Sequence, residues 1–353
     1  MTVLWMNLAL VFGFALLARA LATPAPAGPA PYRPDKMMAG LALAALVLVS
    51  GLRDNIGDTF FYKHAYETND IDWAYVLANK DIGFGLYQMA LQSISRDAQI
   101  LIFVTALVTN ALVVSSFYRY SRLFEVSLFV YIASGLYMVT MNGMRQCLAG
   151  AILFAATKFL LEGRWRPYFA VVALASFFHA TAIIMVPIYF LVRRRAWSGA
   201  SLALLAIAVL IVAGFNQFTS VLFSVIENTQ YGEYKHFAEG GSNVVRVAVG
   251  SIPLALAFLG RRKLRETMPH GDVFVNMSLL GLVFMLISTQ NWIFARFAIY
   301  FEFYNIVLLT WALKLFVASQ QRLVYYGMIL GYLVYYFVEN VLVLHTVYQS
   351  DFL

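Results

Sequence analysis

The chain has 353 residues, of which 61% are apolar and 12% charged, and its mean hydropathy is +0.74. Water-soluble domains carry roughly a quarter charged residues, so this composition excludes a soluble globule. The formal net charge of +7 does not indicate a nucleic-acid groove, because the basic residues lie in short clusters between apolar runs. Several runs approach the ~20 residues that cross a bilayer, which predicts an all-α, polytopic transmembrane helical bundle.

The apolar runs predict about 10–12 membrane spans within a single integral membrane domain, residues 1–353. The first run, Met1 to Leu21, lacks the basic start of a signal peptide, so we expect it to be a retained span. In chain order the spans are placed near residues 2–21, 37–52, 98–117, 123–140, 146–161, 199–226, 244–260, 273–290, 297–317 and 323–345.

A further apolar run, 167–192, has basic residues at both ends, which conflicts with a single crossing under the positive-inside rule. A break at His179 divides it into halves of ~12–13 residues, each about 19 Å long as a helix and short of the ~30 Å bilayer core. We therefore expect a hairpin of two short helices with His179 at the turn. One long tilted span is the alternative.

The same rule places the two longest polar segments, 53–97 and 227–243, outside the cytoplasm. The first is rich in acidic and aromatic residues, and a loop of this length needs structure of its own and is usually functional. Its aromatic residues either stack on sugars or form an interfacial belt. The only cysteine, Cys147, and the absence of paired histidines exclude the common metal motifs, so no metal or cofactor is expected.

The most informative motif lies between two spans, at Met141 to Gln146. Asn142, Arg145 and Gln146 have the i, i+3, i+4 spacing that shares one face of a helix. Arg145 has no carboxylate near it in sequence, and a charged guanidinium at the end of a span is costly, so it is a candidate functional residue. Snorkelling toward lipid headgroups is the alternative.

Three other arginines, Arg53, Arg246 and Arg296, also lie at the outer ends of predicted spans. Arginine suits bidentate recognition of phosphate, so the set could bind a lipid-linked phosphate or diphosphate. The alternative is snorkelling to outer headgroups or pairing with a loop carboxylate, which we favour for Arg246.

Two further residues are candidates for proton transfer. Gly57 permits a tight turn that aims Asp58 at the membrane surface, where its carboxylate could be a general base, unless it only pairs with Arg53. His179 lies at the predicted turn beside Thr181 and could titrate or bind phosphate, although a lone histidine is more often structural. No phosphate-binding loop, dinucleotide fingerprint or hydrolase serine motif is present.

Four motifs follow one another in the sequence: Arg53-x3-Gly57-Asp58-x3-Tyr62, Gly83-Phe84, Asn142-x2-Arg145-Gln146 and Phe178-His179-Ala180-Thr181. Their order resembles the EpsG family, over residues 40–200 and, beyond them, by hydropathy and Arg296 alone. One departure is Asp81-Ile82, where a Glu-Pro-like pair would be expected, and it weakens the case for a role of Asp81.

The resemblance implies a GT-C-like membrane glycosyltransferase, similar in role to Wzy-type polymerases. It would join undecaprenyl-diphosphate-linked repeat units on the outer face of the bacterial cytoplasmic membrane, in exopolysaccharide biosynthesis. Its partners would be that lipid-linked oligosaccharide, membrane lipid and other polysaccharide-assembly proteins, but no nucleic acid. Arg145 and Arg53 would bind the diphosphate, and Asp58 or His179 would be the base. Further substrate-binding residues would be Asn142, Gln146, Tyr62 and Arg296.

Two rival functions remain open. A lipid-linked oligosaccharide flippase would place polar residues near the midplane of several spans, whereas the polar set here clusters at the outer end. A membrane acyltransferase could use His179 but would need a partner residue and a cytoplasmic donor site. The enzyme interpretation makes a geometric prediction: Asn142, Arg145 and Gln146 should face a cavity shared with Arg53, Asp58 and His179.

Overall fold

The computed structural model describes residues 1–25, 28–226 and 240–352 and is almost entirely helical, which confirms the all-α prediction. Five of its helices are long and apolar enough to cross a membrane, or seven if each of two bent pairs is one span, and several apolar helices of 10–17 residues supplement them. The chain is therefore a multi-pass membrane protein.

The first two helices form an antiparallel pair. Helix α1 (Thr2–Ala20) is joined to α2 (Lys36–Gly51) by a short hairpin of β1 (Thr23–Pro24) and β2 (Tyr32–Arg33). Asp35 caps α2, because its carboxylate accepts the Met38 N–H at 3.0 Å.

The segment 53–97 is folded, as predicted, into three helices: α3 (Thr59–Thr68), α4 (Trp73–Ala78) and α5 (Ile82–Gln92). They surround a small apolar core of their own, in which Tyr66 and Val76 are fully buried. The Tyr66 hydroxyl donates to the Ser95 carbonyl at 2.9 Å, and the Gln92 amide donates to the Tyr66 carbonyl at 2.7 Å. These contacts join α3 to the end of α5. The Tyr87 hydroxyl lies 3.1 Å from the Thr105 hydroxyl and connects the segment to the long helix α6 (Gln99–Tyr120).

The predicted span 123–140 is two helices rather than one. Helix α7 (Phe124–Ala133) is completely buried, and α8 (Leu136–Asn142) is bent from it by 58°. The bend falls at Gly135, whose φ of +85° favours glycine. Helices α9 (Met144–Ala155) and α10 (Thr157–Leu161) follow in the region predicted as the next span.

The chain reverses at His179, between α11 (Trp165–Phe178) and a 3-10 turn that leads into α12 (Met185–Val192). The Tyr168 and Tyr189 ring centroids are 5.3 Å apart, and Phe169 also contacts Tyr189 at 5.3 Å. In a straight helix, residues 21 positions apart would be separated by about 31 Å. The hairpin prediction is therefore confirmed, and the alternative of one long span is wrong.

The C-terminal half contains α13 (Gly199–Ala213), α14 (Phe215–Ile226), α15 (Val244–Leu259), α16 (Arg261–Thr267), α17 (Gly271–Ser288), α18 (Ile293–Ala312) and α19 (Ala318–Phe337). Residues 227–239 of the predicted second loop lie outside the described residues. The π-helical turn Val338–Val343 continues α19 into an extended tail. This tail binds Asp54 by two hydrogen bonds. The Asp54 N–H donates to the Gln349 carbonyl at 3.0 Å, and the Asp351 N–H donates to the Asp54 carboxylate at 2.7 Å. The end of α19 is thereby fixed beside the start of the first loop.

Candidate functional site

A cavity of about 720 Å³ lies where the first loop, the turn between α8 and α9, the tip of the hairpin and α15, α18 and α19 meet. Its volume falls within the range of small-molecule sites. The sequence-predicted residues that line it are Asp58, Tyr62, Asn142, Arg145, Gln146, His179 and Arg296. Arg53 does not.

Asn142 and Arg145 approach the cavity from two helices, because the chain breaks at Gly143 between α8 and α9. The prediction that these residues share one face of a continuous helix is therefore wrong. The break leaves carbonyl groups at the end of α8 without helical partners, as any helix end does. Both side chains nevertheless line the same cavity.

Asp81 contacts both Arg145 and His179, which lie far from it in the sequence. Its carboxylate accepts from Arg145 at 2.9 Å, contacts His179 Nδ1 at 3.2 Å and accepts the Ala180 N–H at 3.1 Å. Its side chain is only 9% exposed. Asp81 thus lies in contact with two predicted site residues, although its departure from the family pattern had weakened the case for it.

The electrostatics of this cluster favour an ionised Asp81. Burial opposes the charge, but the hydrogen bond and charge of His179 and the Arg145 guanidinium outweigh it, so the pKa of Asp81 is lowered. The ionised Asp81 carboxylate accepts a hydrogen bond from Nδ1–H of His179, and in the neutral imidazole this contact selects the tautomer in which Nε2 is the acceptor. His179 is therefore oriented by a carboxylate, as a general base requires.

Close packing explains the Gly-Phe element of the motif. A Cβ atom on Gly83 would lie 2.8 Å from the backbone of Phe177, so only glycine lets the start of α5 approach the hairpin tip. Phe84 follows it and lies beside Arg145, with 6.0 Å between the guanidinium carbon and the ring centroid. Tyr62 lies at the same 6.0 Å from Arg145. Aromatic rings thus hold the guanidinium in place.

Asp58 enters the cavity through a strained turn. Gly57 has φ +54°, and a Cβ atom there would lie 2.2 Å from the Asn142 amide oxygen, which excludes other residues. That oxygen accepts the Asp58 N–H at 2.9 Å. Among the described residues no hydrogen-bond partner occupies the Asp58 carboxylate, so the alternative that it pairs with Arg53 is wrong.

Arg53 has a structural role, and the prediction that it shares the cavity is wrong. It is 1% exposed and donates to the Thr59 hydroxyl at 2.9 Å, to the Met141 carbonyl at 2.7 Å and to the Ser50 carbonyl. The two carbonyls belong to the last turns of α2 and α8, where helices leave acceptors unpaired. Burial lowers the pKa of Arg53 to about 10, which leaves it charged at neutral pH.

Arg296 differs from Arg145 because it has no carboxylate partner among the described residues. Its guanidinium stacks over Trp292, 5.1 Å from the ring centroid, and lines the cavity. Its carbonyl accepts from the Gln146 side chain at 2.7 Å, which fastens α9 to the start of α18. Arg296 is thus a cavity arginine whose charge is not neutralised by an ion pair.

Helices α15 and α18 and the end of α19 line the rest of the cavity. They carry Arg246, a candidate from the sequence, and three residues that motif analysis missed: Glu302, Asn305 and Glu339. Arg246 donates through Nε to Glu339 at 2.8 Å and through Nη2 to the same oxygen, and Glu339 is 3% exposed. Arg246 is therefore paired with a carboxylate, as the favoured interpretation predicted. The partner, however, lies at the end of a helix and not in a loop. Glu302 and Asn305 also line the cavity, from the middle of α18. The signal in the sequence that could have found this region is Glu302, a carboxylate within a predicted span.

A family model described as the EpsG family matches residues 36–350. The chain belongs to the EpsG family. No curated protein and no solved structure matches it, so the GT-C-like architecture stays a prediction. The match extends well past the residues that carried the resemblance in the sequence, and it includes α15, α18 and α19. EpsG membership indicates a membrane polysaccharide polymerase.

In this member of the EpsG family the positive charge at the cavity comes from arginines. Within 1–25, 28–226 and 240–352, no group of three or more His, Cys, Asp or Glu residues is arranged to hold a metal ion. Arg145, Arg246 and Arg296 line the cavity. Guanidinium groups can supply the positive charge that an anionic leaving group needs.

Proposed function

We propose that the chain is a membrane glycosyltransferase that polymerises saccharide repeat units carried on undecaprenyl diphosphate. It would act at the outer face of the bacterial cytoplasmic membrane, in exopolysaccharide biosynthesis. The observation that carries the proposal is one cavity that combines a carboxylate-oriented histidine, His179, with two arginines, Arg145 and Arg296. Family membership supports the coarser activity of polysaccharide polymerisation.

Arg145 and Arg296 are suited to bind the diphosphate of the donor. Both line the cavity, and the Arg145 side chain is 43% exposed even though one of its nitrogens binds Asp81. A guanidinium offers five N–H donors, so donors remain for phosphate oxygens. Because negative charge grows on the diphosphate as it leaves, these arginines would stabilise the transition state more than the ground state.

The attacking sugar hydroxyl would lose its proton to Nε2 of His179 or to the Asp58 carboxylate. The hydroxyl oxygen forms a bond to the anomeric carbon of the donor, and the bond from that carbon to the diphosphate oxygen breaks. The electron pair of the broken bond stays with the diphosphate. The Asp81–His179 contact favours His179 as the base, since Asp81 would stabilise the imidazolium that forms.

The outward orientation is supported by the distribution of basic residues. The cavity residues lie at the ends of α8 and α19 and at the starts of α15 and α18. Basic residues lie at the opposite ends of α6, α15 and α18, namely Arg119, Arg122, Arg261, Arg262, Lys263 and Lys314. Clusters of basic residues mark the cytoplasmic side.

An in-vitro elongation assay with lipid-linked repeat units tests the proposal. We expect Arg145→Lys, Asp58→Asn and His179→Ala to reduce elongation relative to wild type, at equal protein level. A lysine cannot make the bidentate contact of arginine. Full elongation by Arg145→Lys would remove the phosphate-binding role of Arg145.

A lipid-linked oligosaccharide transporter is the second candidate, and Glu302 favours it. This carboxylate lies at the middle of α18, whereas the sequence analysis had located the polar set only at the outer end. Intramembrane carboxylates are common on transport pathways. Translocation of the lipid-linked repeat unit across proteoliposomes, without elongation, would identify this function.

A further inference from the structure

The cavity continues along α18 beyond Arg296, toward the middle of the helix. Arg296, Ile299, Glu302 and Asn305 recur every three residues on its lining. At about 1.5 Å of rise per residue, Glu302 lies roughly 9 Å and Asn305 roughly 14 Å along the helix from Arg296. Tyr332 on α19 lines the same cavity seven residues before Glu339. The cavity therefore has a deep part, defined here by Glu302, Asn305 and Tyr332.

Polar atoms in this deep part lack partners within the protein. Glu302 has no hydrogen bond or ion pair in the part of the chain that the structure describes, because the nearby Arg246 guanidinium is paired with Glu339 instead. Asn305 donates its Nδ2 to the Gly250 carbonyl at 2.9 Å, but its Oδ1 is buried and has no hydrogen-bond partner there. A carboxylate and an amide oxygen left unpaired within a membrane span are costly, which points to a bound ligand that donates hydrogen bonds.

The chemistry of the deep part selects the ligand. An unpaired carboxylate repels phosphate, and an isoprenoid chain offers no donors, whereas sugar hydroxyls donate to both Glu302 and Asn305. Trp292 lies at the upper edge beside Arg296, with an indole N–H that is also without a partner among the described residues. It adds an aromatic surface and a donor for a polar, uncharged ligand.

We propose that Glu302, Asn305 and Tyr332 form a saccharide subsite, which binds hydroxyl groups of the glycan while Arg145 and Arg296 hold its diphosphate. The proposal rests on the proposed function, because it divides one lipid-linked substrate between two parts of the cavity. It assigns Glu302 a binding role and leaves proton transfer to the residues around Asp81.

Binding of two lipids to the full chain in nanodiscs tests the subsite. The probes are undecaprenyl diphosphate and the undecaprenyl-diphosphate-linked repeat unit extracted from cells that make the polysaccharide. We expect Glu302→Gln to bind the glycosylated lipid about tenfold more weakly and the sugar-free lipid within about twofold of wild type, because one charge-assisted hydrogen bond is lost. Arg296→Gln should weaken both. Glu266→Gln, at an exposed carboxylate on α16, is the matched control and should change neither.

A labelling experiment shows whether the glycan occupies the deep part even if Glu302→Gln folds poorly. In a Cys147→Ala background, Ile306→Cys reports on the deep part and Ala295→Cys on the region beside Arg296. The glycosylated lipid should protect both cysteines from a thiol reagent, and the sugar-free lipid only Ala295→Cys. Equal protection of both cysteines by both lipids would overturn the subsite.

Two further outcomes separate this inference from the proposed function. If wild type binds both lipids and Glu302→Gln changes neither affinity, the subsite is overturned and the proposed function stands. If wild type binds neither lipid, the proposed function fails. The free oligosaccharide released from the lipid then decides the subsite: weaker binding to Glu302→Gln supports it, and no binding to wild type overturns it.

Discussion

The two walls of the cavity are built in different ways. The loop wall comprises Asp58, Tyr62, Arg145 and His179, each of which lies in the first loop, just after a helix break or at a reversal of the chain. Asp81 supports this wall through its contacts with Arg145 and His179. The helix wall comprises Arg246, Arg296, Glu302, Asn305 and Glu339, which project from α15, α18 and the end of α19.

This difference assigns the two walls different tasks. Broken helices free backbone groups, and the loop wall uses them: the Ala180 N–H fixes Asp81, and Asp81 in turn orients His179 and Arg145. Such contacts give the fixed geometry that proton transfer needs. The backbone of the helix wall is already satisfied, so its side chains are free to pair with each other or with a ligand. We therefore expect chemistry at the loop wall and binding at the helix wall.

The largest expected effect is at the loop wall. His179→Ala should lower the elongation rate about 10²–10⁴-fold, the usual contribution of a general base. Asp81→Asn should lower it in the same way, because the amide cannot stabilise the imidazolium. Rates are measured with saturating lipid-linked repeat units. His64→Ala, at an exposed histidine of the same loop, is the control and should keep the wild-type rate. An Asp81→Asn enzyme with the wild-type rate would show that Asp81 does not orient the base.

The next effect distinguishes two arginines that look alike in the sequence. Arg53→Met should destabilise the protein by about 2–4 kcal/mol, because the Ser50 and Met141 carbonyls lose a buried donor. Arg145→Met should affect activity far more than stability. Thermal unfolding in detergent measures both. Arg96→Met, which removes an exposed ion pair with Asp70, should cost at most about 1 kcal/mol. A stable but inactive Arg53→Met would return Arg53 to the substrate site.

How much the sequence could predict follows from where each residue lies. Apolar runs and basic clusters predicted the helical membrane fold and the reversal at His179, because crossing a bilayer constrains length and charge directly. The Asn142–Gln146 motif and Asp58 were also found, since polar residues at span ends are conspicuous. Seven of the eight predicted site residues line the cavity, and Arg53 is the exception. Their roles stay predictions.

Other features could not be predicted because they depend on tertiary contacts. Arg53 and Arg145 have the same local pattern, and only packing shows that one caps helix ends while the other meets a carboxylate. Asp81 lies 64 residues from Arg145 and 98 from His179, so no spacing rule connects them. The pairing of Arg246 with Glu339 escaped motif analysis for the same reason, since these two residues are 93 positions apart.

In the helix wall, substitutions of Arg246 and Glu339 should have coupled effects on the stability of the protein. Arg246→Met or Glu339→Gln alone should destabilise the protein by about 1–3 kcal/mol, since each leaves a partly buried charge without its partner. The double variant should be less destabilised than the two single variants added together. Thermal unfolding of the four proteins gives this coupling energy. Additive effects would mean that the ion pair contributes nothing to the wall.

The smallest effect is a pH dependence that belongs to the loop wall alone. The folded-state pKa of Asp81 is lowered: burial opposes the shift, and the His179 hydrogen bond and charge, followed by Arg145, produce it. A carboxyl with a lowered pKa stabilises the fold above its unfolded pKa of about 3.9, and this stability is lost as the pH falls through the folded value. Thermal unfolding should therefore show a larger difference between wild type and Asp81→Asn at pH 5 than below about pH 4, where the difference shrinks.

The same measurement in a His179→Ala background isolates the cause. Without the imidazole, Asp81 loses the strongest of the contacts that favour its charge, so Asp81→Asn should change the stability less in this background than in wild type, across the whole pH range. The Arg246–Glu339 pair should be unaffected by this change, because it lies on the other wall. A pH dependence that persists unchanged without His179 would assign the shift to Arg145 and the Ala180 N–H, and would contradict a strong interaction between Asp81 and His179.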